Sequence, residues 1–174
     1  MKPPQNEILV FLDVDGVLNN SSDPTVSRQA LDAGAVAELK GLMDAVPGAR
    51  IILSSAWRLV AKMTRLLAQQ LEAAGIEAPV GATSVVAAAR SRPGEPSSLD
   101  RQLARLADQR AAEILQAVRE RRPRAWLAVD DLDLSHKLHE RHFVRTDEAV
   151  GLTEGGRRRA VGALQGQLEP RVVT

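Results

Sequence analysis

Three places in this 174-residue chain put chemically capable side chains directly behind an apolar run. Asp13-Val14-Asp15-Gly16 follows residues 8–12, Ser54-Ser55 follows 51–53, and Asp130-Asp131 follows 126–129. Carboxylates in such pairs bind a hard cation, exchange protons or attack as nucleophiles, and hydroxyls at a helix start hold anions. A DxDG tetrapeptide alone is weak, because ordinary turns and calcium loops contain it too. The calcium-loop reading fails here. With Asp13 as its first position, the twelfth, which needs a closing Glu, is Pro24. A polar turn behind a core strand is the plainer account of Asp13 and Asp15. It leaves the second acid pair unexplained, since clustered carboxylates repel unless a cation joins them. Ser54-Ser55 equally suits an N-cap before Trp57, and cap and anion roles can coexist. Gly16 frees the backbone to turn sharply and approach a ligand.

Side chains at three strand ends meet only if the strands run parallel, and the rest of the chain supplies the alternation this needs. Short apolar runs alternate with longer helical patterns, as in βαβ units. Residues 8–13 and 50–54 read as strands buried on both faces, 126–130 as a fourth strand and 142–145 as a short fifth. A third at 78–86 is weakened by Pro79 and Gly81. Helices are expected at 27–46, stopped by Pro47-Gly48, and at 57–74, closed by Gly75. Two more are expected at 99–122, with a break near Asp108, and at 153–168, with Thr153 as N-cap. Residues 90–98, with Pro93, Gly94 and Pro96, read as a surface loop. In open parallel sheets ligands bind outside the carboxyl ends of the strands, near the switch in strand order.

The length fits one domain over 1–174, with 1–6 as a flexible lead-in. The absence of cysteine excludes disulfides and thiolate metal sites and is compatible with a reducing compartment. Behind Lys2 there is no long apolar segment, and 8–12 is too short for a signal peptide or a membrane span. A cytoplasmic protein without a membrane partner is expected. A net charge of +1 gives no global field to draw the chain onto a polyanion. Arginine predominates among the 23 basic residues, a bias that genomic base composition explains as readily as phosphate binding. With so few aromatics, the core must be Leu, Val, Ile and Ala, and Trp57 reads as a packing residue rather than a stacking platform. Arg58 suits either a substrate contact or a surface ion pair. His136, His139 and His142 match no familiar zinc spacing and read as solvated, as do Arg157 to Arg159.

Taken together, Phe11-Leu12-Asp13-Val14-Asp15-Gly16-Val17-Leu18-Asn19, Ile51-Ile52-Leu53-Ser54-Ser55-Ala56-Trp57-Arg58, Val129-Asp130-Asp131 and Gly151-Leu152-Thr153 resemble the haloacid dehalogenase (HAD) superfamily. They look most like the compact HAD domains grouped with "Swiss Army Knife" RNA-repair proteins. The likeness covers nearly the whole chain; the first motif and the Ser-Ser-x-Trp-Arg stretch are its specific parts. It implies an α/β fold, a three-layer α/β/α Rossmann-like sandwich on a five-stranded parallel sheet in the order 3-2-1-4-5. It also implies a magnesium-dependent phosphohydrolase. Asp13 would be the nucleophile that forms an aspartyl-phosphate, and Asp15 the acid and then the base. Ser54 would hold a phosphate oxygen, with Ser55, Gly16 and Arg58 beside the substrate. Mg²⁺ would sit between the Asp13 carboxylate, the Asp15 carbonyl and an acid of the fourth strand, Asp131 first and Asp130 behind it or sharing the role. The family usually offers a Lys ahead of that strand, but the chain has none between Lys62 and Lys137. Arg110 is the best substitute, with Arg101 and Arg105 as rivals, and its more diffuse charge implies lowered activity.

Larger HAD enzymes insert a cap domain, and neither 20–26 nor 78–98 is long enough to be one. An open site admits a phosphorylated small molecule, a nucleotide or a nucleic-acid end. Two other classes compete. A phospho-accepting receiver module needs an Asp at the end of a central strand, where this chain has Ser54. A non-catalytic interaction domain on the same scaffold has the Arg-for-Lys departure in its favour.

Overall fold

The computed structural model describes residues 6–20, 29–87 and 98–169. All but Asn6 of the expected flexible lead-in, most of the 20–26 excursion and nearly all of the 90–98 loop lie outside these residues. Strands β1 (Ile8–Leu12), β2 (Ala49–Leu53), β3 (Gly81–Ala82), β4 (Ala125–Asp130) and β5 (Phe143–Arg145) form one sheet in the order β3-β2-β1-β4-β5. All four pairings are parallel. Helices α1 (Ala33–Ala45), α2 (Ala61–Ala73) and α3 (Leu99–Arg121) separate the first four strands, and α4 (Glu154–Leu168) follows β5.

Successive strand residues face opposite sides of the sheet, so an unbroken apolar strand must be covered twice. Val10 and Leu12 of β1 pack with Leu39 and Leu42 of α1, Leu67 and Leu71 of α2, and Ala160 and Leu164 of α4. Leu9 and Phe11 pack on the other side with Ala107, Ala111, Ile114 and Ala117 of α3. This is the expected three-layer sandwich. Its connectivity follows from crossover handedness: β1 to β2 to β3 steps outward with both helices on one face, and the return to β4 on the far side of β1 takes α3 to the other. The chain therefore reverses direction between β1 and β4, and there Asp13 and Asp130-Asp131 emerge.

Several local expectations are corrected. α1 starts at Ala33 rather than in the twenties, because the Asp32 side chain caps it by accepting the Ala35 N–H at 2.8 Å. The helix expected at 57–74 is divided into a 3-10 turn at Ala56–Leu59, a break at Val60 and α2. α3 runs unbroken through Asp108 and ends at Arg122, whose left-handed backbone (φ 48°) closes it. The third strand has only two residues. His142 closes a second 3-10 turn rather than opening β5, and its ring stacks on Trp126 at 4.2 Å. Arg157, expected in solvent, pairs with Glu38 at 2.6 Å and ties α4 to α1.

Candidate active site

Backbone pairing continues past the strand ends and sets the site's frame. The Asp13 N–H donates to the Val129 carbonyl at 3.0 Å, and the Ser54 N–H to the Leu12 carbonyl at 2.9 Å. Asp13 is thus fixed between the ends of β2 and β4. Carboxylate oxygens of Asp13, Asp130 and Asp131 lie within 4.8 Å of one another. Asp13 and Asp130 are buried and Asp131 half-buried.

Among the described residues, one cation pairs with their carboxylates. Arg110 Nη1 donates to Asp130 Oδ2 at 2.5 Å and stands 3.2 Å from Asp13 Oδ1. Burial opposes its charge, yet the charges of Asp13 and Asp130 outweigh that and hold the guanidinium above its ordinary pKa. One guanidinium does not neutralise three carboxylates. Burial first, then the charge of Asp13, pushes Asp130 up to about 8, against the pull of Arg110. The same two causes push Asp131 up to about 6. A dense, oxygen-only cluster with excess negative charge is what a small divalent cation requires, so the donor set fits Mg²⁺. Asp130 has both oxygens engaged, Oδ2 by Arg110 and Oδ1 by the Leu132 N–H at 3.0 Å.

Gly16 explains how Asp131 comes so close. Its backbone is left-handed (φ +73°), and a Cβ placed there would lie 2.6 Å from Asp131 Oδ2. What the missing side chain admits is thus a carboxylate of the chain itself. Thr146 secures the same turn by donating its hydroxyl to the Gly16 carbonyl at 2.8 Å.

The two serines divide the roles that the sequence left open. Ser55 Oγ accepts the Trp57 N–H at 3.3 Å and is the cap. Ser54 Oγ is buried and, among the described residues, has no hydrogen-bond partner. A buried hydroxyl left unsatisfied is costly unless something else meets it, and an anion at the crevice would do so.

Arg58 is neither at the surface nor aimed at the crevice. Its guanidinium pairs with Glu113 of α3 at 2.6 Å, with side-chain exposures of 7% and 2%. It also donates to the carbonyls of Ser55 (2.9 Å) and Thr83 (3.0 Å). The pair clamps the Ser54-Ser55 turn to α3 and to the end of β3. Asp15 is exposed; its Oδ1 accepts from Asn19 Nδ2 at 2.9 Å and its Oδ2 from Trp57 Nε1 at 3.1 Å. Arg101 and Arg105 lie on the exposed face of α3, more than a turn before Arg110. The histidines do not gather: His136 pairs with Asp108, His139 caps a turn and His142 bonds the Trp126 carbonyl. Beside Asp131 a cleft of about 740 Å³ opens between α3 and the turns after β4 and β5.

Sequence reading missed four residues here: Asn19, Glu113 and Thr146, and the hydrogen-bonding half of Trp57. Glu113 carried a signal, as an acid on the apolar stripe of α3 between Ala111 and Ile114. Thr146 carried none.

An α/β/α sandwich with a DxDG turn at its first strand, a hydroxyl at its second and an acid pair at its fourth is the HAD architecture, a superfamily made up broadly of phosphatases and other hydrolases. A family model described as "HAD domain in Swiss Army Knife RNA repair proteins" matches residues 9–155, and the chain belongs to that family. No curated protein and no solved structure gives a significant match. Among the described residues, no helix is long and apolar enough to cross a membrane.

Proposed function

We propose that the chain is a magnesium-dependent phosphatase that works through an aspartyl-phosphate on Asp13. The observation that carries this is one juxtaposition: a buried carboxylate, Asp13, between an unsatisfied hydroxyl on one side and an acid pair with an arginine on the other. Asp13, Asp131 and the Asp15 carbonyl would hold the cation, with Asp130 behind them orienting Arg110. Bound there, Mg²⁺ would neutralise charge on the phosphate and the nucleophile.

A carboxylate oxygen of Asp13 attacks phosphorus, and the bond from phosphorus to the leaving oxygen breaks. Asp15 gives that oxygen its proton. Water then attacks the phosphorus of the acyl phosphate, Asp15 takes the water's proton, and Asp13 and inorganic phosphate are released. Ser54 Oγ donates to a phosphate oxygen, with Ser55 and Gly16 shaping the turns around it. Arg110 offsets charge at Asp13, and Arg58 acts on the substrate through the turn it clamps. Positioning and electrostatics dominate phosphoryl transfer, so this small set suffices.

The family's association with RNA repair supports nucleotides or nucleic-acid ends as substrates. The cleft beside Asp131 qualifies this, because six carboxylates line it (Asp100, Asp108, Asp131, Asp133, Asp147, Glu148) against Arg145 and His136. A strand's further phosphates would be repelled there, so a mononucleotide or short end is favoured over a long strand. The test is phosphate release from an aryl phosphate, mononucleotides and 5′- and 3′-phosphorylated oligonucleotides, with Mg²⁺ or chelator, beside Asp13→Asn. Mg²⁺-dependent release that the variant abolishes is expected. Equal rates in parent and variant, or no release from any substrate, would defeat the reading, the latter in favour of the interaction domain.

A further inference from the structure

Asp15 is the exposed acid of the site, and a carboxylate in that setting ordinarily samples several rotamers. Here both of its oxygens are engaged, one by Asn19 and the other by the indole of Trp57. The indole is itself fixed. Trp57 is 5% exposed within the larger core cluster, and the Ser55 hydroxyl holds its backbone N–H. An indole N–H buried this deeply needs an acceptor, and the one it finds is Asp15 Oδ2, 42 residues away in the chain. Phenylalanine would pack similarly and donate nothing.

We propose that Trp57 is a positioning residue whose indole N–H fixes the Asp15 carboxylate in the orientation from which it protonates the leaving oxygen. The inference rests on the acid–base role assigned to Asp15 above. Ser54, Ser55 and Trp57 form one short run, so a single turn carries both the phosphate contact and the aim of the acid. Any change that displaces this turn would disturb both together.

The test separates leaving groups. A phenolate departs without a proton, whereas an alkoxide needs one, so a misaimed acid slows the alkyl ester selectively. On kcat/KM, which reports steps up to the loss of the leaving group, Trp57→Phe is expected to cost about 30-fold or more with an alkyl phosphate and about threefold or less with an aryl phosphate. Asp15→Ala should show the same selectivity, and Trp57→Phe should add little in that background. Equal losses on both esters would overturn the proposal while leaving the phosphatase reading intact. A parent that hydrolyses neither ester would overturn both.

A second measurement leaves Trp57 in place. The chain has two tryptophans, so its indole N–H spectrum holds two signals. Asp15→Ala should shift one of them and speed its exchange with solvent. If neither signal moves, the hydrogen bond is absent and the proposal fails.

Discussion

At the residue scale, the site rests on side chains whose neighbours leave them little latitude. Removing the nucleophile through Asp13→Asn should lower turnover by about a thousandfold or more while preserving the fold, measured as phosphate release beside a circular dichroism melt. Gly16→Ala is a sharper probe, because the new methyl would meet the Asp131 carboxylate and the backbone there is left-handed. It should cost about 1–2 kcal/mol of stability and weaken Mg²⁺ binding about tenfold or more, read by denaturant melts and cation titration. Unchanged cation affinity would mean that Asp131 does not hold the ion. The acids were legible in the sequence because each follows an apolar run that could only be a strand. Arg110 was legible as the nearest basic residue ahead of β4, and Glu113 only as an acid out of place on an apolar stripe, whereas Thr146 reaches the Gly16 carbonyl through a contact that no local pattern encodes.

At the scale of elements, the Ser54-Ser55 turn depends on α3 as much as on β2. The Arg58–Glu113 pair is buried, and removing one partner strands the other charge away from water. Glu113→Ala should therefore destabilise the protein by about 3–5 kcal/mol, measured by denaturant unfolding, and should raise KM by loosening the phosphate turn. A surface pair would lose less than about 1 kcal/mol, which would contradict the clamp. The apolar runs revealed which strands exist and their parallel sense, because strands without alternation must be covered on both faces. The strand order came from the family resemblance. Element boundaries were read less well, for local reasons. Asp32 takes the cap of α1, Val60 interrupts the second helix, and the side chains around Asp108 do not outweigh the continuous buried stripe of α3.

For the whole molecule, the acid cluster links stability to pH and to cation. Asp130 and Asp131 are raised above their ordinary value of 3.8, to about 8 and about 6, so the metal-free fold holds protons that the unfolded chain has released. Their contribution is fully present below about pH 4 and is lost as pH rises through 6 and 8. In chelator, this cluster should make the melting temperature fall between about pH 5 and about pH 8.5, and Mg²⁺ should restore it most at the alkaline end. A melting temperature indifferent to Mg²⁺ at both values would show that the cluster holds no cation.

In the proposed mechanism Asp13 carries the phosphoryl group between two chemical steps. The direct measurement is to mix the protein with a radiolabelled phosphate monoester and Mg²⁺, quench in acid within a turnover, and map the label by peptide mass spectrometry. An acid-stable, hydroxylamine-sensitive phosphate is expected on the peptide containing Asp13, absent with chelator and absent in Asp13→Asn. Label on another residue, or phosphate release by Asp13→Asn at the parent rate, would contradict it.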